Sequence, residues 1–203
     1  MSVLWRGRLP IILASQSQTR GAILSAAGIP FETCPAGVDE RGIEAKVLGG
    51  GGSASDVALE ISRAKALGIA KSKPGRLVVG ADQVLSLEGR LFGKPGGIER
   101  AKEQLALLSG RTHELYSGYC VARDDTVLSS GVAIARLSCR RFSAEFIEAY
   151  FSETGAVESA GGYCIEGLGI HLFEKIEGDH TTILGLPLLP LLKFLRDEGS
   201  VLT

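Results

Sequence analysis

Asp82 lies within Val78-Val79-Gly80-Ala81-Asp82-Gln83-Val84-Leu85, an otherwise apolar run. An ionised carboxylate there is costly unless a cation or hydrogen-bond donors accompany it, so its presence marks a functional site. The plain alternative is an aspartate at a strand edge facing solvent. Glu40, in Gly37-Val38-Asp39-Glu40, is a second candidate acid, and a simple loop position accounts for it equally well. Lys65, in Ser62-Arg63-Ala64-Lys65-Ala66, and Lys94, before Pro95, are candidate cations, with an exposed helix lysine and a turn lysine as their plain readings. Acids and cations at element ends suit general-base or metal-assisted chemistry on an anionic substrate.

Better-known phosphate and metal signatures are not met. Gly89-Arg90-Leu91-Phe92-Gly93-Lys94 has three residues between its glycines rather than four, and Pro95 follows the lysine, so it is no Walker loop. Gly167-Leu168-Gly169 lacks the third glycine of a dinucleotide fingerprint. His113, His171 and His180 are too widely spaced for a helical metal pair and read as structural or solvent-facing, which argues against a zinc enzyme.

The elements that must hold these residues alternate between strand-like and helix-like patterns, as in a mixed α/β fold. Leu9 to Ala14 predicts a short strand leading through Ser15-Gln16-Ser17-Gln18 into a helix from about Thr19 to Ala27, with Gly28 as its cap. Such a strand-to-helix junction suits phosphate, because the first helical N–H groups lack internal partners. Phe31 to Cys34 reads as a second strand, and Gly49-Gly50-Gly51-Gly52 as a loop before a helix from near Ser53 to about Ala70, with Ser53 and Asp56 matching a capping box. Leu77 to Leu87 predicts a long strand that Gly80 and Asp82 interrupt.

Ile98, Ala101, Leu105 and Leu108 recur at helical spacing before Ser109-Gly110. His113 to Arg123 and Val127 to Leu137 flank Asp124-Asp125 as an antiparallel hairpin. A helix follows over about Ser143 to Ser152, then a glycine-rich stretch from Gly155 to Gly185 with short strands and tight loops, and a last helix near Leu189 to Glu198.

With 203 residues, 45% of them hydrophobic, the chain can bury roughly 70% of its unfolded surface. One domain over residues 1–203, with a flap or subdomain, is expected. The net charge of −1, from 22 basic and 23 acidic residues, offers no broad positive field, and no nucleic-acid or membrane partner is expected. Cys34, Cys120, Cys139 and Cys164 form no Cys-x-x-Cys pair, the start lacks a signal peptide's apolar segment, and no apolar run would span a bilayer. A soluble cytoplasmic protein is the expectation.

Several short motifs, in order, resemble the Maf family of nucleoside triphosphate pyrophosphatases. Leu13-Ala14-Ser15-Gln16-Ser17-Gln18-Thr19-Arg20 is similar to the family opening Leu-Ala-Ser-x-Ser-Pro-Arg-Arg. Gly80-Ala81-Asp82-Gln83-Val84, Phe92-Gly93-Lys94-Pro95, Leu108-Ser109-Gly110 with His113, and Gly185-Leu186-Pro187-Leu188 follow in family order. The resemblance implies an α/β fold with an elongated mixed sheet flanked by helices, and two lobes with a central nucleotide cleft. It implies hydrolysis of a nucleoside triphosphate between its α and β phosphates, a divalent cation (Mg, Mn or Co) and a homodimer. By motif, Asp82 corresponds to the catalytic acid, Glu40 and Lys65 to further cleft residues, Lys94 and Arg20 to phosphate-binding cations, and Ser15 to the phosphate loop. Asp82 and Glu40 are also the implied metal ligands, and whether Asp82 acts as base or ligand stays open because one carboxylate serves both roles.

Departures from the family pattern bear on the base. Gln18 replaces the family proline and Thr19 the first of two arginines. Gln83, where pyrimidine-nucleotide branches carry threonine, and Glu166 in Glu166-Gly167-Leu168-Gly169-Ile170 resemble the 7-methyl-GTP branch, whereas Thr19 stands where that branch carries an aromatic residue. Thr19, Gln83 and Glu166 are therefore the specificity candidates. The competing reading is a nucleotide-binding regulator of cell division with incidental catalysis.

Overall fold

The computed structural model describes residues 3–155 and 159–203. In chain order the elements are β1 (Ile11–Leu13), α1 (Gln18–Ala26), β2 (Phe31–Thr33), α2 (Glu40–Gly49), α3 (Ala54–Ala70), β3 (Val78–Leu87), β4 (Arg90–Phe92) and α4 (Ile98–Leu108). There follow β5 (Thr112–Arg123), β6 (Thr126–Cys139), α5 (Ala144–Thr154), β7 (Phe173–Glu177), α6 (His180–Ile183) and α7 (Leu188–Asp197). Two short 3-10 turns, Ala160–Gly162 and Gly167–Leu172, precede β7. The sheet is mixed, with strand order β2-β1-β3-β5-β6-β7 and β4 paired to β3. Helices flank it, in keeping with the α/β expectation.

Contacts divide the chain into two units. The first comprises the chain up to Gln83, then Ser117–Ala133 and Asp179–Thr203. Within it β1 runs parallel to both neighbours, with Ile11 opposite Phe31 and Ile12 opposite Val78. Alternation along these strands sorts the core into two layers. Ile11, Leu13, Val79 and Ala81 join Leu24 of α1 and Leu191 and Leu195 of α7, whereas Ile12, Ala14 and Val78 join Ala66 and Ala70 of α3. A strand covered on both faces needs no polar side, which is why β1 reads as an unbroken apolar run.

The sequence patterns locate α1, α3, β3 and α7 to within one or two residues, and the Ser53–Asp56 capping box forms as expected. They miss α2. None of its residues is buried, so it carries no apolar stripe to betray a helical period, and Asp39, whose Oδ1 accepts from Gly42 N at 3.0 Å, supplies its cap. Glu40 is consequently the first residue of a capped helix and not a loop acid.

The second unit comprises Val84–Tyr116 and Ile134–Gly178. There β3 turns at Glu88-Gly89, both with positive φ (53° and 84°), into β4, with Leu85 opposite Phe92. Two successive left-handed residues make the mirror-image turn that suits a tight hairpin, so Gly89 to Phe92 is a hairpin arm, in agreement with the rejection of a Walker loop. α4 packs on α5, and β6 pairs antiparallel with β7. Ser143 caps α5, which continues to Thr154. The glycine-rich stretch forms 3-10 turns, β7 and the short α6, while its residues 156–158 lie outside the described residues. His113, a structural histidine by sequence, is buried with Nε2 2.6 Å from the Tyr163 hydroxyl and its ring 6.1 Å from that of Phe173.

No helix among the described residues is long and apolar enough to cross a membrane. All four cysteines are free.

Candidate active site

Gly80 explains both the interruption of β3 and the placement of Asp82. A Cβ at Gly80 would lie 2.2 Å from the Ser62 carbonyl oxygen and 2.6 Å from the Ala66 nitrogen, so only glycine lets the α3 backbone settle this closely on the strand. Gly118 of β5 does the same opposite Ala58, one turn before Ser62 on α3. α3 is thereby pressed onto the sheet along Ala58, Ser62 and Ala66, and Lys65 beside them reaches Asp82 in the middle of β3. Its ammonium stands 2.7 Å from Asp82 Oδ1 and 2.6 Å from Glu40 Oε1. Lys65 and Asp82 are buried, whereas the Glu40 side chain is about half exposed at the start of α2.

Burial pushes the Asp82 pKa above the ordinary carboxylate value, against the opposing pull of Lys65 and Arg20, and with a smaller upward push from Glu40. The carboxylate is thus more basic than a surface aspartate while remaining paired. The Arg20 guanidinium is also buried; desolvation lowers its pKa, and the charges of Asp82 and Glu40 offset part of that.

Arg20 is held from two sides. Its Nε donates to the Gly185 carbonyl at 2.8 Å and Nη1 to Ser15 Oγ at 3.0 Å, and Ser15 Oγ also accepts from Ser17 N at 3.2 Å. Ser17 caps α1 by accepting from Arg20 N. A guanidinium has five N–H donors, and Nη2 has no hydrogen-bond partner among the described residues. It is free to donate to an anion.

Gln83, next to Asp82, turns to the opposite face of β3 by strand alternation. Its Nε2 donates to Ser117 Oγ at 2.8 Å and to the Thr182 and Ile183 carbonyls, each at 3.0 Å. The Ser117 hydroxyl donates to the Thr182 carbonyl at 2.7 Å. Asp179 caps α6, accepting from the N–H groups of Thr181 and Thr182 and from both threonine hydroxyls, and these bonds together outweigh burial to hold its pKa below the ordinary value. Ser117, Asp179 and Thr182 were not singled out from sequence; Asp179 ahead of two threonines is a readable helix-start signal, but Ser117 is a lone small residue that signals nothing by itself.

The structure therefore assembles Ser15, Arg20, Glu40, Lys65 and Asp82 in the first unit, with Gln83 braced beside them. Thr19, in the first turn of α1, is half-buried. Lys94 and Glu166 belong to the second unit, and both are exposed. Lys94 follows β4, and Glu166 leads into the second 3-10 turn with its Oε2 accepting from the Cys164 thiol at 2.7 Å.

Among the described residues no cluster of three or more His, Cys, Asp or Glu side chains forms a protein-only metal cage. Two carboxylates, Glu40 and Asp82, still match the donor set of a hard divalent cation that completes its shell with water and phosphate oxygens.

Residues 10–198 match the family model described as "Maf-like protein". A "Nucleoside triphosphate pyrophosphatase" of Rhodopseudomonas palustris is 51% identical over 197 residues, covering 96% of each chain. One of the same name from Nitrobacter winogradskyi is 48% identical over 197 residues, again covering 96% of each. A "7-methyl-GTP pyrophosphatase" of Brucella abortus is 46% identical over 193 residues, 94% of this chain and 97% of that protein. Among solved structures, a HAM1 protein from Coxiella burnetii matches with a TM-score of 0.51 at 18% identity, covering 93% of this chain and 99% of that one, a likeness of fold alone.

Proposed function

The chain belongs to the Maf-like protein family, and from that premise we propose that it is a nucleoside triphosphate pyrophosphatase, cutting the α–β phosphoanhydride to give a nucleoside monophosphate and pyrophosphate. The supporting observation is the Lys65 ammonium held between the Asp82 and Glu40 carboxylates, with buried Arg20 close enough to act on both charges. Near-full-length relatives bearing that activity in their names support it further.

In this reading Asp82, its basicity raised by burial, takes a proton from the attacking water. The water oxygen bonds to one phosphorus of the α–β anhydride, the bridging P–O bond breaks, and its electron pair stays on the other fragment, so that monophosphate and pyrophosphate separate. Arg20 offers Nη2 and Lys65 its ammonium to the negative charge, joined by Lys94 and by the N–H groups at the start of α1. A divalent cation (Mg, Mn or Co) held by Glu40 and Asp82 would supply further charge neutralisation on the phosphate oxygens. The finer proposal is a guanine-type base, 7-methyl-GTP foremost, read by exposed Glu166; the relative named for that substrate supports it.

The test is product identity. Purified protein with a nucleoside triphosphate and Mg²⁺ is expected to release monophosphate and pyrophosphate in equal amounts. Orthophosphate and a diphosphate as products, or no turnover on any of GTP, 7-methyl-GTP, UTP and dTTP, would overturn the proposal.

A further inference from the structure

Arg20 is aimed by a backbone atom, the Gly185 carbonyl 2.8 Å from Nε. That carbonyl lies just past α6, a helix of only four residues, His180–Ile183. Gly185 has φ of +91°, a conformation that strains other residues. Fixing this turn therefore depends on side chains that reach it. The Thr182 carbonyl is where they converge: it accepts from Gln83 Nε2 at 3.0 Å, from Ser117 Oγ at 2.7 Å and from Gly185 N at 3.0 Å. Gln83 adds a bond to the Ile183 carbonyl. Asp179 fastens the other end of the same turn through Thr181 and Thr182.

We infer that Gln83 is a positioning residue: through the Thr182–Gly185 turn it holds the carbonyl that aims the Arg20 guanidinium. Its amide nitrogen is fully engaged with protein acceptors, so donating to a nucleobase would require breaking those bonds. The chain of contacts joins the strand that presents Asp82 to the helix that presents Arg20, and so sets the acid and the cation in register. Arg20 is held by Nε on the Gly185 carbonyl and by Nη1 on Ser15, and moving the Gly185 carbonyl removes one of these two holds, so the guanidinium loses its aim even though its charge remains.

The activity arm of the test rests on the pyrophosphatase reading; the spectroscopic arm does not. In the intact chain, Gln83→Leu removes the donor at nearly constant volume, and Ser117→Ala weakens the same turn from β5. With ¹⁵N-arginine labelling, the buried Arg20 Nε–H is expected to exchange with solvent at least about tenfold faster in either variant, since exchange reports local opening. In the activity arm, Gln83→Leu is expected to lower kcat/KM for GTP and for UTP by the same factor, about tenfold. In an Arg20→Ala background the same change is expected to have less than a twofold effect, because residues acting through one another are not additive. Unchanged Arg20 exchange in a folded Gln83→Leu protein overturns the inference whatever the activity. So does a tenfold change in the GTP-to-UTP ratio, or a full Gln83 effect without Arg20, either of which makes Gln83 a reader of the base. A wild-type protein inert on every triphosphate sinks the pyrophosphatase reading, and the exchange measurement still decides the role of Gln83.

Discussion

The Lys65 ammonium stands 2.7 Å from Asp82 Oδ1, both side chains largely removed from water. The same nitrogen reaches Glu40 at 2.6 Å, so one lysine compensates two carboxylates, of which only Glu40 is well solvated. Burying Asp82 alone would leave an uncompensated charge. Lys65 and Arg20 supply the compensation, yet desolvation outweighs their attraction, so the carboxylate stays paired and more basic than a surface aspartate.

Asp82→Asn keeps the shape of the side chain and removes its charge. Turnover is expected to fall by at least about a hundredfold, the scale of a lost general base, while circular dichroism and melting show a folded protein. Near-wild-type pyrophosphate release by the folded variant would remove Asp82 from the mechanism.

Arg20, Lys65 and Lys94 are each expected to stabilise the transition state by roughly 1.5 to 3 kcal/mol, the range for hydrogen bonds to charged groups, so each alanine variant should lose about tenfold to a hundredfold in kcat/KM. Arg20→Lys is the sharper probe. It retains the charge but replaces the planar fork with one ammonium nitrogen, which does not reproduce the Gly185 and Ser15 contacts made from two separate guanidinium nitrogens with Nη2 left free, so it is expected to lose nearly as much as Arg20→Ala. Full activity in all three alanine variants at subsaturating substrate would put the phosphate site elsewhere.

The pH profile follows from the direction of the Asp82 shift. Its folded pKa is raised, so the ionised form required of a base is lost as pH falls through a value above the ordinary carboxylate range. The acid limb of kcat/KM is expected to have its midpoint above the ordinary aspartate value, and Glu40→Gln, which removes a neighbouring negative charge, is expected to move it down. A midpoint at the ordinary aspartate value would separate this limb from Asp82.

Much of this was legible because the residues concerned break a local pattern. Asp82 and Gly80 interrupt an apolar strand, and the capping box at Ser53 and Asp56 announces the helix that carries Lys65. The pairing of Lys65 with Glu40 was not legible, because α2 buries nothing and shows no hydrophobic period. Nor was the bracing of Arg20, since Gln83, Ser117 and Thr182 meet over separations of 34 and 65 residues through main-chain carbonyls, which a sequence does not distinguish from one another. Gln83 stood out from sequence through its resemblance to the 7-methyl-GTP branch; the bonds of its amide nitrogen to Ser117, Thr182 and Ile183 could not be read there.

His113 links the buried part of the second unit to acid stability. Burial lowers its pKa to about 4, below the ordinary value of 6.5. Above 6.5 both folded and unfolded forms are neutral. Between 6.5 and about 4 the unfolded chain takes up a proton that the folded one refuses, so stability falls as pH falls, by up to about 1.4 kcal/mol per pH unit. His113→Gln is expected to lose this dependence while retaining a partner for Tyr163; melting curves at pH 7 and pH 5 measure it. An equal drop in Tm for variant and wild type would exclude His113 as the source.

The proposed base preference assigns the reading of the base to Glu166. Its Oε2 accepts from the Cys164 thiol, and no partner to Oε1 is present among the described residues, so the exposed carboxylate can accept from a ligand. Guanine presents N1–H and N2–H on one edge, whereas uracil and thymine present a single N–H there, and a carboxylate gains most from the doubled donor. Methylation at N7 adds positive charge to the purine and strengthens the contact. 7-Methyl-GTP is therefore expected to have the highest kcat/KM among 7-methyl-GTP, GTP, UTP and dTTP, and Glu166→Gln is expected to narrow the gap, because discrimination is a difference in transition-state binding. Cys164→Ala, which frees Oε2 from the thiol, is expected to preserve the preference. A UTP or dTTP value equal to or above that for 7-methyl-GTP would overturn the assignment of Glu166 as the base reader and leave the chemistry at Asp82 untouched.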